Sequence, residues 1–227
     1  MIKTNILGWL VLTLVLAACT PKGKKAAVKT VERELLVAVE FVSDQPERVD
    51  SLLRTNLEFS ETVYRWKNHI VVFDSNQKVG GLVEFVADLL PGVEIKQYEN
   101  PLYAYDKAIH CEKVEVADEW KHYLLTANLV ADTIKQREYM DYHATQFEDW
   151  PEVAQGFCNA DFQQLLVYRT GRQLLLVISV PADKTLDELN PLTVENNPRM
   201  DDWNAQMSGY QEGIEGTEDG EVWVFLE

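Results

Sequence analysis

Short apolar runs alternate with polar stretches along this chain, and their period changes where helices are expected. The run ELLVAVEFV at 34–42 is rich in β-branched residues and predicts a strand. In the following SDQPERVDSLLRTNLEFSETVYR, Asp44 suits a cap and Pro46 a first turn. Val49, Leu52, Leu53, Leu57 and Phe59 then fall loosely on one helical face. HIVVFD predicts a buried strand, and the second part of KVGGLVEFVADLLPG a helix that stops at Pro91-Gly92. VEIKQYENPLYAY reads as extended, with Pro101 confining it to an edge or a break. The order is β-α-β-α-β, with no central hairpin.

A second unit starts near residue 120. HYLLTANLV predicts a strand, and Asp132 the N-cap of a long helix through residue 148. Asp149, Pro151 and Glu152 then restart a helix, with the spacing of a capping box and a first-turn proline. FQQLLVYRTGRQLLLVISVP reads as two strands about Thr170-Gly171. PRMDDWNAQMSGYQEGI places Met200, Trp203, Met207 and Tyr210 at helical spacing, and EVWVFL closes the unit as a strand. This β-α-β-β-α-β order is that of a ferredoxin-like sandwich. The polar, proline-bearing segment 181–198 predicts a loop over one face, of the kind that borders a site. The fold class is therefore α+β with two ferredoxin-like units: a shortened first unit over 32–110 and a second over 120–227. If they pair, they form an intrachain pseudo-dimer.

One segment carries candidate chemistry. Tyr139, His143, Gln146 and Trp150 fall on one helical stripe, and Met140, Ala144, Phe147 and Pro151 on the next. The second stripe reads as core. The first, aromatic and polar, suits the rim of a pocket or an ordinary boundary between core and surface.

The N-terminus narrows the compartment. Lys3 precedes the apolar run ILGWLVLTLVLAACT, which is too short to span a bilayer comfortably. Leu16-Ala17-Ala18-Cys19 resembles a bacterial lipobox, which implies a signal peptide over 1–18 and lipidation of Cys19. Thr20 is not the aspartate associated with inner-membrane retention, so the expectation is an outer-membrane anchor facing the periplasm. PKGKKAAVK reads as a tether, within 19–31. A net charge of −16 opposes binding to phosphate backbones and argues against a nucleic-acid partner. Cys111 and Cys158 have no CxxC spacing, and both a disulfide and two buried thiols stay open. Neither a zinc motif nor a nucleotide loop is present, so no metal and no cofactor are expected.

The second unit resembles the L-rhamnose mutarotase family. The residues that carry the resemblance are Tyr139 and His143, Trp150-Pro151-Glu152, Val167-Tyr168, and Trp203 with Met207. The spacing differs in one respect: ATQFED puts six residues between His143 and Trp150, three more than is usual in the family. Leu165 also stands where the family pattern has a tyrosine. The resemblance implies a dimeric α+β barrel and cofactor-free exchange of sugar anomers. It implies His143 as acid/base with Tyr139 beside it, and Trp203, Tyr168 and Trp150 as substrate-binding residues. The expected ligand is a small sugar, and the expected assembly a homodimer or an intrachain pseudo-dimer. The competing reading is a non-catalytic binding or assembly lipoprotein built on the same fold.

Overall fold

The computed structural model describes residues 36–55, 62–112 and 115–227. Cys19 and the expected signal peptide and tether lie outside the described residues, as do Leu57 and Phe59 of the predicted first helix.

The first half runs β1 (Leu36–Val42), α1 (Pro46–Thr55), β2 (Val63–Trp66), β3 (His69–Ser75), α2 (Asn76–Val79), α3 (Leu82–Leu89) and β4 (Glu94–Tyr98). Its antiparallel sheet is ordered β2-β3-β1-β4. This half does have a central hairpin, against the expectation from sequence. The described part of α1 ends at Thr55, and β2 pairs with β3, setting Val63 opposite Val72 and Trp66 opposite His69. A four-residue strand is too short to show alternation, and residues 63–65 stand at the end of the segment read as loosely helical.

The second half runs β5 (Tyr103–Asp106), α4 (Lys107–His110), β6 (Trp120–Leu129), α5 (Thr133–Ala144), α6 (Gln146–Asp149), α7 (Pro151–Asn159), β7 (Gln164–Thr170), β8 (Gln173–Pro181), α8 (Leu186–Leu189), a 3-10 turn at Asn190–Thr193, α9 (Pro198–Ser208), β9 (Gln211–Glu212) and β10 (Val224–Leu226). Its sheet is ordered β10-β6-β8-β7-β5, with β9 beside β6. With β5 and β9 set aside, both sheets have the fourth-first-third-second order of a ferredoxin-like unit. The segment read as extended, with an edge or a break at Pro101, does break there and divides between the sheets: β4 pairs with β1, and β5 pairs with β7, Tyr103 opposite Val167.

The period of two along the strands explains the layering. Val37, Val39, Phe41, Ile70 and Val72 pack against Val49 and Leu53 of α1 and Leu82 and Val86 of α3. The opposite face of that sheet puts Ala38, Val71 and Phe73 against Leu124, Leu166, Leu175 and Val177 of the second sheet. The far face of the second sheet carries Leu165, Val167, Leu174 and Ile178, which meet α5, α7 and α9. The layers are therefore helix, sheet, sheet, helix. The sheet edges also approach each other. Arg65 and Glu227 exchange main-chain hydrogen bonds of 2.6 and 2.9 Å, and Thr170 Oγ1 donates to the Gln97 carbonyl at 3.2 Å. The paired sheets thus form a barrel-like pseudo-dimer within one chain. Cys111, just after α4, and Cys158 in α7 form a disulfide, the alternative the sequence left open.

Candidate active site

Asp132 starts α5 as expected, its Oδ1 accepting from the Ile134 N–H at 2.8 Å. The helix turns the aromatic, polar stripe inward: Tyr139, His143 and Gln146 are buried, whereas Ala144 is exposed and Met140 and Phe147 are half-buried. The stripe expected to be core is therefore the outer one. The helix also stops sooner than expected, at Ala144. Gln146–Asp149 form a separate turn, α6, and α7 begins at Pro151 with Trp150 as its cap residue, with no capping bond from Asp149. Gln146 stitches the break. Its Nε2 donates to the Trp150 carbonyl at 2.9 Å, and its Oε1 accepts from the Tyr103 hydroxyl at 2.7 Å.

Between this stripe and the second sheet lies a cavity of about 360 Å³. Leu165, Val167 and Ile178 form its apolar floor. Val153 and Phe157 of α7 and Met200 of α9 wall it. Asn190, Asn204 and Gln211 add polar groups, Asn190 coming from the long segment expected to border a site. Tyr103, Tyr139, His143 and Trp203 converge on the same space.

His143 is 8% exposed. Its Nδ1 lies 2.9 Å from the Tyr139 carbonyl. A carbonyl only accepts, so Nδ1 carries the hydrogen and Nε2 keeps its lone pair. Burial pushes the imidazole pKa down to about 4, against a smaller opposing effect of that backbone bond. The ring sits 4.2 Å from Tyr139, 5.2 Å from Trp203 and 5.4 Å from Tyr103, centroid to centroid.

Tyr139 is held from two sides. Burial raises its phenol well above the usual range, while a hydrogen bond with the Gln211 side chain acts in the opposite direction. The Trp223 indole donates to Gln211 Oε1 at 3.1 Å. An indole N–H is donor only, so this bond fixes the amide and leaves its nitrogen for the Tyr139 oxygen.

The remaining expected residues separate. Trp203 lines the cavity. Trp150 stands behind it, ring centroids 5.5 Å apart, with the Arg199 guanidinium 3.8 Å over the Trp150 ring. Trp150 therefore supports the wall from outside. Tyr168 lies across the sheet from the cavity, because Leu165 and Val167 take the cavity face and Tyr168 shares the other with Leu166. Its hydroxyl donates to the Leu36 carbonyl at 2.9 Å.

Sequence reasoning missed Tyr103, Gln211 and Trp223. Tyr103 alternates with Tyr105 in YAYD, a signal that the strand buries one aromatic face. The three residues beyond the usual spacing after His143 form part of α6, whose Phe147 stacks on Tyr103 at 5.3 Å and on His110 at 4.0 Å. In the first unit, the equivalent space between helices and sheet is filled by Val37, Val39, Leu53, Ile70 and Val86. Among the described residues, no group of three or more His, Cys, Asp or Glu side chains is arranged to hold a metal ion.

A family model described as L-rhamnose mutarotase matches residues 107–227. The L-fucose mutarotase of Xanthomonas campestris pv. campestris is 29% identical over 91 residues, covering 38% of this chain and 67% of that protein.

Proposed function

The chain belongs to the L-rhamnose mutarotase family, a family of carbohydrate mutarotases, and we propose that it interconverts the anomers of a 6-deoxyhexose by cofactor-free acid/base catalysis at the His143 cavity. The observation that carries this reading is the pairing of a buried imidazole, its Nδ1 held by the Tyr139 carbonyl, with the Tyr139 side chain lining the same cavity.

Mutarotation needs a base at the anomeric hydroxyl and an acid at the ring oxygen. His143 Nε2 takes the O1 proton as the Tyr139 hydroxyl protonates the ring oxygen. The C1–O1 double bond forms and the C1–ring oxygen bond breaks. The open aldehyde then rotates about C1–C2. On closure the ring oxygen returns its proton to Tyr139, and His143 gives its own to O1. A base this weak and an acid this weak do not transfer protons outright, so the two transfers must be coupled. Trp203 offers an aromatic plane to an apolar sugar face. The floor of Leu165, Val167 and Ile178 favours a sugar that carries a methyl group in place of a hydroxymethyl. L-Rhamnose and L-fucose both meet that description, and the L-fucose mutarotase relative supports the choice. Anomer exchange measured by saturation-transfer NMR over rhamnose, fucose and their 6-hydroxylated counterparts tests it; no exchange with any of them rejects the reading.

The lipobox-like tetrad at Cys19 supports a lipid anchor in the cell envelope, facing the periplasm. The Cys111–Cys158 disulfide agrees with an oxidising compartment. The internal pairing of two ferredoxin-like sheets supports a chain that works without a second copy to complete the barrel.

A further inference from the structure

A second set of polar groups lies on the other side of the second sheet. Glu40 of β1 is 1% exposed, a carboxylate placed between the two sheets. Its Oε1 is 2.5 Å from His69 Nδ1 and accepts from Gln173 Nε2 at 2.9 Å, and its Oε2 accepts from the Tyr98 hydroxyl at 2.7 Å. Lys96 Nζ is 4.0 Å from Oε2 and donates to Gln173 Oε1 at 2.7 Å. Burial by itself would raise the carboxyl pKa; the His69 bond, the Lys96 charge and the Tyr98 bond outweigh it and hold the group below its ordinary value. A buried carboxylate needs charge and hydrogen-bond partners, and this network from four strands supplies them.

Stitching the sheets together does not explain what stands beside the network. A cavity of about 580 Å³ opens next to His69, lined by Asn68, Asn128, Lys96, Glu94 and Asp44. The segment Ile214–Gly216 closes one side, where Lys67 Nζ donates to the Gly216 carbonyl at 2.5 Å. Glu40 occupies His69 Nδ1, which leaves Nε2 as the ring's remaining polar atom. Among the described residues, neither Nε2 nor the side-chain amides of Asn68 and Asn128 meet a protein partner.

We propose that this cavity is a second binding site, for a neutral polyhydroxylated small molecule, with His69, Asn68 and Asn128 as its recognition groups and Glu40 as the residue that orients His69. Three features select the ligand. Only Val42 and Ile214 supply apolar side chains to the lining, which disfavours an apolar guest. Asp44, Glu94 and Glu215 outnumber Lys67 and Lys96, with Glu40 behind them, which opposes an anion. Amides and an imidazole both donate and accept, as hydroxyl groups do. The site is separate from the His143 cavity, and the inference does not depend on the proposed reaction.

The test is histidine-ring and side-chain-amide NMR on the full chain, titrated with myo-inositol, sorbitol, L-rhamnose and L-fucose. A saturable shift of the His69 and Asn128 signals with at least one of them is expected. Asn128→Leu should weaken that binding roughly three- to tenfold, the loss from one or two hydrogen bonds, with anomer exchange unchanged. If Asn128→Leu does not fold, Asn68→Leu on the β2–β3 turn takes its place. His143 signals report the other cavity, so failure at one site is read apart from failure at the other. No saturable change at His69, a change with spermidine or magnesium only, or undiminished binding in both variants would overturn the proposal.

Discussion

His143 Nδ1 donates to the carbonyl of Tyr139, one turn back along α5, at 2.9 Å. This single bond links the two residues on which the proposed chemistry rests. It sets which imidazole nitrogen is free, and it does so with a main-chain atom whose position the helix fixes. The side chains then meet on the cavity side, 4.2 Å between ring centroids.

The bond and the burial together predict a pH profile. Burial lowers the His143 pKa from 6.5 to about 4, so the neutral base dominates across the ordinary range. Exchange activity should be flat near neutrality and fall as pH drops towards 4. The sign for stability follows from linkage: the unfolded chain binds this proton more readily than the folded one. The neutral ring's contribution is present in full above pH 6.5 and is lost as pH falls to about 4. Its size is on the order of 3 kcal/mol. A ¹⁵N titration of the histidine rings checks it, and a His143 midpoint near 6.5 would contradict it.

Tyr139→Phe removes the proposed acid and keeps most of the packing. Exchange should fall about 10²-fold, with the loss in kcat and KM little changed. A rise in KM at constant kcat would assign Tyr139 to binding alone.

Gly156→Ala tests how α7 is seated. A β-carbon there would lie 2.6 Å from the Thr193 carbonyl oxygen and 3.0 Å from Asn197 Nδ2. Crowding of this kind typically costs about 1–3 kcal/mol. The strain would fall on the 3-10 turn that carries Asn190, so sugar affinity should fall together with the melting temperature. Unchanged stability would mean that the turn gives way freely.

Much of this arrangement was legible in the sequence, and the misses have physical reasons. The second unit's strand-helix order, the Asp132 cap, the Thr170-Gly171 hairpin and the buried Met200-Trp203-Met207-Tyr210 face are all seen. The first unit's hairpin was hidden because β2 is four residues long. On α5 the aromatic, polar stripe does border the cavity, but the stripe read as core is the outer one, because polar atoms are buried once they find partners. Here Tyr139 and His143 are buried by the cavity wall, with polar atoms met by a carbonyl and by Gln211, while Ala144 faces out. Tyr168 was assigned to the pocket by resemblance, although strict alternation with Leu165 and Val167 puts it on the other face. Tyr103 was missed because β5 joins the second sheet from outside the stretch where that unit was expected to start.

If Cys19 carries the proposed lipid anchor, Cys19→Ser should release the protein from membranes or leave the proposed signal peptide uncleaved. Membrane fractionation and mass spectrometry of the N-terminus read this out. A soluble wild-type protein with an unmodified Cys19 would contradict the anchor.

The proposed reaction stands or falls on His143 as the base for anomer exchange. Saturation-transfer NMR of L-rhamnose and L-fucose with the wild-type and His143→Asn proteins tests it most directly, with thermal unfolding measured alongside because His143 is buried. Rapid exchange by the wild type is expected, with a loss of about 10²–10⁴ in the folded variant. Wild-type exchange rates in a folded His143→Asn protein would contradict it.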